Sequence, residues 1–202
     1  MKTAAYIVRM AFLVLLVLGS TALAQDPAAL RDQVRAYRIR HQAAILRSYA
    51  DLLAIPNRAN DSANIRRNAE HIAGLLRARR VETRLLEHPG TPPVVYGELR
   101  APGATRTIVV YAHYDGQPAE PADWGGADPW KPVLRDKSLE DGGREIPWPA
   151  LGAPVDPEWR IYARSSSDDK TPIAGWLAAL DALRASGIAP SVNVKFFFEG
   201  EE

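Results

Sequence analysis

The segment 107–112 (TIVVYA) constrains the fold more than any other part of this 202-residue chain. It is apolar on both faces of an extended strand, which is typical of a strand buried at the centre of a sheet. Further strand patterns cover 81–86, 94–99, 160–164 and 192–198. Apolar residues at helical spacing cover 28–54, 65–76 and 173–183. Strands that alternate with helices predict an α/β fold, with a central, mostly parallel sheet flanked by helices.

The composition limits the chemistry that is available to the chain. Lys and Arg total 25 and Asp and Glu total 24, so the net charge of +1 gives no electrostatic footprint for a nucleic acid. The absence of cysteine excludes a disulfide scaffold, a thiolate zinc site and a cysteine nucleophile. Any metal site must therefore use Asp, Glu and the four histidines, which are His41, His71, His88 and His113.

The N-terminus has the order of regions found in a secretory signal peptide. Lys2 and Arg9 are followed by an apolar run at 11–18 (AFLVLLVL) and a small-residue cleavage site, Ala22-Leu23-Ala24. We predict a signal peptide over 1–24 and a mature chain over 25–202, exported to a periplasm or to the extracellular space. The run is shorter than the roughly 20 residues that a spanning helix needs, so no stable membrane span is expected after cleavage. An uncleaved anchor or a buried helix is the alternative.

Residues 116–159 interrupt the alternation of strands and helices. They hold eight of the 16 prolines and four of the five tryptophans. A long segment without regular structure is unusual inside a compact domain and is typical of a functional region. It begins after the carboxyl end of the predicted central strand, where α/β sheets place their ligands.

His113 and Asp115 follow that strand at positions i and i+2, and such residues of an extended chain point to the same side. His113 is therefore a candidate metal ligand, with Asp115 accepting a hydrogen bond from its other ring nitrogen. A histidine that is merely hydrogen-bonded at a strand end is the alternative.

Two carboxylate-rich runs complete the set of candidate site residues. In the run 164–170 (RSSSDDK), the Ser and Asp residues either cap the following helix, or Asp168 is a carboxylate that bridges two metal ions. In the run 199–202 (EGEE), the carboxylates form either a solvated turn or a general base next to a metal ligand. One histidine with several carboxylates fits a hydrolytic site for two metal ions.

Four motifs in order strengthen the hydrolytic interpretation: HYDGQP at 113–118, WGGADPWKP at 124–132, RSSSDDK at 164–170 and FFFEGEE at 196–202. Over roughly residues 45–202 the chain resembles the dinuclear zinc exopeptidases and deacylases. That family includes carboxypeptidase G, carnosinase, aminoacylase, acetylornithine deacetylase and succinyl-diaminopimelate desuccinylase.

The resemblance implies a role for each candidate residue. His113 would bind one zinc ion, Asp115 would orient His113, and Asp168 would bridge two zinc ions, for which cobalt or manganese can substitute. Glu202 would be the general base, because Glu199-Gly200 matches the residues that precede the base in the family. In a register shifted by one residue, Glu201 would be the base and Glu202 a metal ligand.

The chain also departs from the family pattern. Ala163-Arg164-Ser165 stands where the family usually has Gly-Arg-Gly, Thr171 replaces a glycine, and residues 136–158 resemble an insertion. The family has a further carboxylate ligand, a lid or dimerisation domain and a last histidine ligand beyond the position of Glu202. We therefore expect 25–202 to be the N-terminal portion of a catalytic domain, with weak zinc binding, no measurable activity alone, and homodimerisation only with the missing domain.

These observations predict an exported zinc metallopeptidase that hydrolyses small peptides. An N-acyl amino-acid deacylase of the same family is the first alternative, and a non-catalytic exported fragment or binding domain is the second. No nucleic-acid partner is expected.

The signal-peptide prediction is tested by N-terminal sequencing of the exported protein. Cleavage after Ala24 places Gln25 at the new N-terminus, because Ala22 and Ala24 supply the small residues of the cleavage site. Exported soluble protein that still begins with Met1 would contradict the prediction.

Overall fold

The computed structural model describes residues 26–202, so the predicted signal peptide lies outside the described residues. Three helices lie at Pro27–Leu53 (α1), Ser62–Ala78 (α2) and Lys170–Ala185 (α3). Seven strands lie at Glu82–Leu86 (β1), Val94–Leu99 (β2), Thr107–His113 (β3), Val133–Arg135 (β4), Glu145–Ile146 (β5), Arg160–Tyr162 (β6) and Asn193–Glu199 (β7). Within 26–202, no helix has the length and apolar character needed to cross a membrane.

The helices begin where the sequence places polar caps. Asp26 accepts a hydrogen bond from the backbone N–H of Ala28 at 3.0 Å, just before α1. Asp61 accepts one from Asn64 at 3.1 Å, at the start of α2. Both bonds satisfy backbone donors that a helix N-terminus would otherwise leave unpaired. Helix α3 ends before Gly187, as the sequence predicts.

The α/β class is confirmed, but the main sheet is mixed rather than mostly parallel. Its strand order is β1-β2-β7-β3. The β1–β2 and β2–β7 pairs are antiparallel, and only β3 pairs with β7 in parallel. The seven residues between β1 and β2 are too few for a helical crossover, so this pair forms a hairpin.

Strand β3 lies at an edge of the sheet that residues 26–202 form, whereas its apolar pattern predicts a central position. Strand β7 lies between β2 and β3 and buries Phe196 and Phe198 completely. On β3, Val110 and Ala112 face the helices, whereas Val109 is 66% exposed. Helices α2 and α3 pack on one face of the sheet, and the other face is uncovered in the part that the structure describes.

Residues 116–159 are not the structureless segment that the sequence suggests. A short 3₁₀ turn covers Pro121–Trp124, and β4 and β5 form a small antiparallel sheet with β6 in the order β5-β4-β6. Strand β6, predicted as part of the main sheet, therefore belongs to this second sheet. The connection between β5 and β6 contacts α1, because the guanidinium of Arg47 donates a hydrogen bond to the carbonyl of Pro149 at 2.9 Å.

Lys170 joins the three helices at the centre of the molecule. Its side chain is completely buried and lies at the start of α3. The ammonium donates to the carbonyl of Leu52 at 2.8 Å, to that of Ile55 at 3.3 Å and to Asn68 Oδ1 at 2.7 Å. Burial lowers the pKa of Lys170 to about 7. The position of α3 relative to α1 and α2 therefore depends on the hydrogen bonds of one buried amino group.

Replacing Lys170 with methionine should lower the free energy of unfolding by about 3 kcal/mol, because buried acceptors lose their donor. Urea denaturation measures the change. The matched control is Lys195→Met on β7, where the lysine is only partly buried and the expected change is within about 0.5 kcal/mol. Equal effects of the two substitutions would show that the Lys170 hydrogen bonds do not hold the helices together.

Candidate metal centre

The carboxyl ends of β3 and β7 meet at one edge of the main sheet. Parallel pairing places His113 opposite Glu199, and the backbone N–H of Tyr114 donates to the carbonyl of Glu199 at 2.8 Å. The HYDGQP and EGEE motifs, more than eighty residues apart in sequence, are therefore neighbours in space. This edge is where α/β sheets place their ligands.

The His113 ring lies between two carboxylates. Its Nδ1 is 3.2 Å from Asp115 Oδ1, and its Nε2 is 2.9 Å from Asp168 Oδ1. The side chains of His113 and Asp115 are only 11% and 7% exposed, whereas that of Asp168 is 78% exposed. The buried carboxylate of Asp115 thus lies beside Nδ1 of the imidazole, and the solvent-exposed carboxylate of Asp168 lies beside Nε2.

These carboxylates change the proton affinity of the imidazole. Burial by itself lowers the pKa of His113, but the hydrogen bond to Asp168 and the charge and hydrogen bond of Asp115 outweigh burial. The net result is a raised pKa. The two carboxylates therefore favour the protonated, positively charged form of the imidazole.

The aspartates of the RSSSDDK motif turn towards the strand end instead of capping α3. Asp169 occupies the N-cap position, but its side chain accepts no capping hydrogen bond. Its Oδ2 instead accepts from the backbone N–H of His113 at 3.4 Å. The peptide bond between Asp168 and Asp169 is cis. The capping alternative for this run is therefore wrong at Asp169.

The acidic end of the chain lies beside Asp115. The backbone N–H of Glu202 is 3.4 Å from each of the two carboxylate oxygens of Asp115, while the side chains of Glu201 and Glu202 are exposed. The side chain of Glu199 does not face Asp115. It lies on the uncovered face of the sheet, where it accepts a hydrogen bond from the Tyr111 hydroxyl. This bond raises the pKa of Tyr111 to about 12. The register of the glutamate pair stays a prediction.

Two glycines permit the close approach of these segments. A Cβ on Gly116 would lie 2.5 Å from Ser165 Oγ, and a Cβ on Gly200 would lie 2.6 Å from the Tyr114 hydroxyl oxygen. Real Cβ contacts essentially never come this close. The HYDG loop can therefore approach the RSSSDD and EGEE loops only because these positions have no side chain.

The residues present fit a divalent metal ion in part. An imidazole nitrogen and a carboxylate oxygen converge at 2.9 Å, and both are donor types that zinc accepts. Within residues 26–202, no group of three or more His, Asp and Glu side chains is assembled around one point. His113 and Asp168 would hold the ion, and a cavity of about 230 Å³ lined by Trp124 and residues 163–168 adjoins Asp168.

Sequence reasoning missed Asn57, which is completely buried at this edge of the sheet. It lies in the connection between α1 and α2 and belongs to none of the four motifs. Its side chain contacts Tyr114, Trp130 and Ser165, which come from three of those motifs. A single asparagine after a proline gives no pattern from which these contacts could be predicted.

Comparison with known proteins finds the family that the four motifs resemble. Residues 109–202 match the model of Peptidase family M20/M25/M40. The Cys-Gly metallodipeptidase dug1 of Schizosaccharomyces pombe is 33% identical over 111 residues, which are 55% of this chain and 19% of that protein. The Beta-Ala-His dipeptidase of Homo sapiens is 32% identical over 111 residues, 55% of this chain and 18% of that protein.

Solved structures share the fold of the described residues. Human carnosine dipeptidase 1 has a TM-score of 0.65 at 23% identity, over 86% of this chain and 35% of that one. The M20 family metallo-carboxypeptidase Sso-CP2 from Sulfolobus solfataricus has a TM-score of 0.57 at 27% identity, over 78% and 31%. Residues 109–202 thus match the M20 peptidase family, and the family resemblance inferred from the motifs is confirmed over this part of the chain. The chain spans about a fifth of the length of the curated relatives it matches.

Proposed function

We propose that this chain contributes to a zinc-dependent peptidase that hydrolyses the amide bond of small peptides, with dipeptides as the substrate class. The observation that supports this most is the convergence of His113 Nε2 and Asp168 Oδ1 at 2.9 Å, with buried Asp115 behind the ring. The match to the M20 peptidase model supports a hydrolase that uses a divalent metal. The names of the relatives support dipeptides as substrates.

His113 and Asp168 are the proposed zinc ligands, with Asp168 serving two ions. Zinc held by these residues would supply a water of lowered pKa, towards about 7, and would polarise the scissile carbonyl. Asp115 fixes the tautomer of His113 from the opposite ring nitrogen, because it lies within hydrogen-bonding distance of Nδ1. Cobalt or manganese would occupy the same donors.

Glu202 is the proposed general base. Its carboxylate takes a proton from the attacking water and passes it to the amine that leaves when the C–N bond breaks. Its backbone already lies against Asp115, and its side chain is free in solvent to turn towards the metal centre. Glu201 is the base in the shifted register.

Two further parts of the proposal concern substrate and location. The names of the matched relatives favour a peptidase over an N-acyl amino-acid deacylase, because both named relatives are dipeptidases. Export to a periplasm or to the extracellular space is supported by the basic, apolar and small-residue order over 1–24.

Zinc binding by His113→Ala tests the proposed function. Loss of an imidazole ligand should weaken zinc binding to the 202-residue chain by ~10-fold or more, as measured by calorimetric titration. The control is His88→Ala in the exposed β1–β2 connection, which should bind zinc like the parent chain. A parent chain that takes up no zinc, or full affinity in His113→Ala, would refute the proposed ligand scheme.

Glu202→Gln, made in the complete gene product, tests the role of the general base. Glutamine keeps the shape but cannot accept the proton, so zinc content should persist while hydrolysis of a Cys-Gly dipeptide falls by ~10²–10⁴-fold. In the shifted register Glu202 is a ligand, and the same change should release zinc. Glu140→Gln, an exposed site in the small sheet region, is the matched control. Unchanged turnover and unchanged zinc would exclude Glu202 from both roles.

A further inference from the structure

The Asn57 side chain hydrogen-bonds to three segments: the HYDG loop at 113–116, the RSSSDD loop at 164–169 and the tryptophan-containing segment at 124–132. Its Nδ2 donates to the carbonyl of Tyr114 at 2.8 Å and to Ser165 Oγ at 2.8 Å. Its Oδ1 accepts from the indole N–H of Trp130 at 3.1 Å. Because an indole N–H can only donate, it fixes which end of the amide faces the two loops.

Ser165 is held in an uncommon backbone conformation at the same point. Its φ of 61° lies in the left-handed region, which is unfavourable for a residue with a side chain. Its hydroxyl accepts from Asn57 and donates to the carbonyl of Asp115 at 3.4 Å. One hydrogen bond thus ties this strained position, three residues before Asp168, directly to the loop that bears His113 and Asp115, and a second ties it to that loop through Asn57.

The backbone of Asn57 strengthens the same connection. The carbonyl of Asn57 accepts from the backbone N–H of Gly116 at 2.8 Å. Together with the bond to the carbonyl of Tyr114, this holds the peptide groups on both sides of Asp115. None of these bonds belongs to the main sheet, so they add to the β3–β7 pairing instead of repeating it.

We propose that Asn57 and Ser165 are positioning residues for the metal centre, a role that rests on the proposed function. They lock the segment 113–116 to the segment 164–168 and so set the 2.9 Å approach of His113 to Asp168 before any ion binds. Neither residue would touch the ion or the substrate. Both act through the placement of the two ligand-bearing loops.

Asn57→Ala, Ser165→Ala and the double variant, made in the 202-residue chain, test this role, with zinc alone as the probe. Asn57→Ala should weaken zinc binding by ~10-fold, within the 10–100-fold range of residues that orient ligands. The double variant should lose less than the product of the single losses, because the two residues share one hydrogen bond. Asn193→Ala is the matched control, since Asn193 bonds the backbone of Ala101 at the opposite end of β7.

Hydrogen exchange on the zinc-free chain separates positioning from a general structural role. Amides in 113–117 and 163–169 should exchange faster in Asn57→Ala, while those of α2 and β2 stay as protected as in the parent chain. Faster exchange throughout, or unchanged zinc affinity with both loops loosened, would overturn the proposal.

A second variant covers the case in which Asn57→Ala does not fold. Asn57→Asp keeps the shape but places an acceptor against the carbonyl of Tyr114, so it should weaken zinc binding at least as much as the alanine variant. Parent-like zinc binding by Asn57→Asp would overturn the proposal. If the parent chain binds no zinc, the proposed function fails, and the exchange pattern alone decides whether Asn57 couples the two loops.

Discussion

The parallel pairing of β3 with β7 is the constraint on which the rest of this structure depends. It places the two strand ends at one edge and sets His113 opposite Glu199. Burial of Phe196 and Phe198 beneath the helices fixes which face of β7 is inside, and a slip of one residue would reverse it. The register that fills the core is therefore also the register that brings the acidic end of the chain to Asp115.

Besides the ends of β3 and β7, the candidate metal centre includes the loop before α3, and Lys170 fixes the position of this loop. Its ammonium reaches the C-terminal end of α1 and a side chain of α2, so α3 begins at a defined point in the core. Asp168 and Asp169 immediately precede this anchored residue. The loop is thus held by Lys170 on its helical side and by Asn57, through Ser165, on its other side.

The sequence predicts the local features of this fold well because they depend on nearby residues. Helix limits follow from caps and apolar spacing, and the i, i+2 relation of His113 and Asp115 follows from strand geometry. Strand order depends on which strand occupies the centre of the sheet, and both TIVVYA and VNVKFFF are rich in apolar residues. The structure gives that place to VNVKFFF, which pairs on both sides. Asn57 and Lys170 contact backbone carbonyls and side chains that are distant in sequence, so no local pattern predicts their contacts.

The candidate metal centre has a buried inner side and a solvent-exposed outer side, because His113 and Asp168 differ in exposure. The imidazole is enclosed, whereas Asp168 and the side chains of Glu201 and Glu202 lie in solvent. Their negative charges concentrate cations at the rim, an attraction that weakens as ionic strength rises. On the proposed ligand scheme, an incoming ion would meet the carboxylate oxygens before the imidazole nitrogen. The rate of capture would then depend on the acidic rim and the affinity on the buried imidazole, so different residues would control the two quantities.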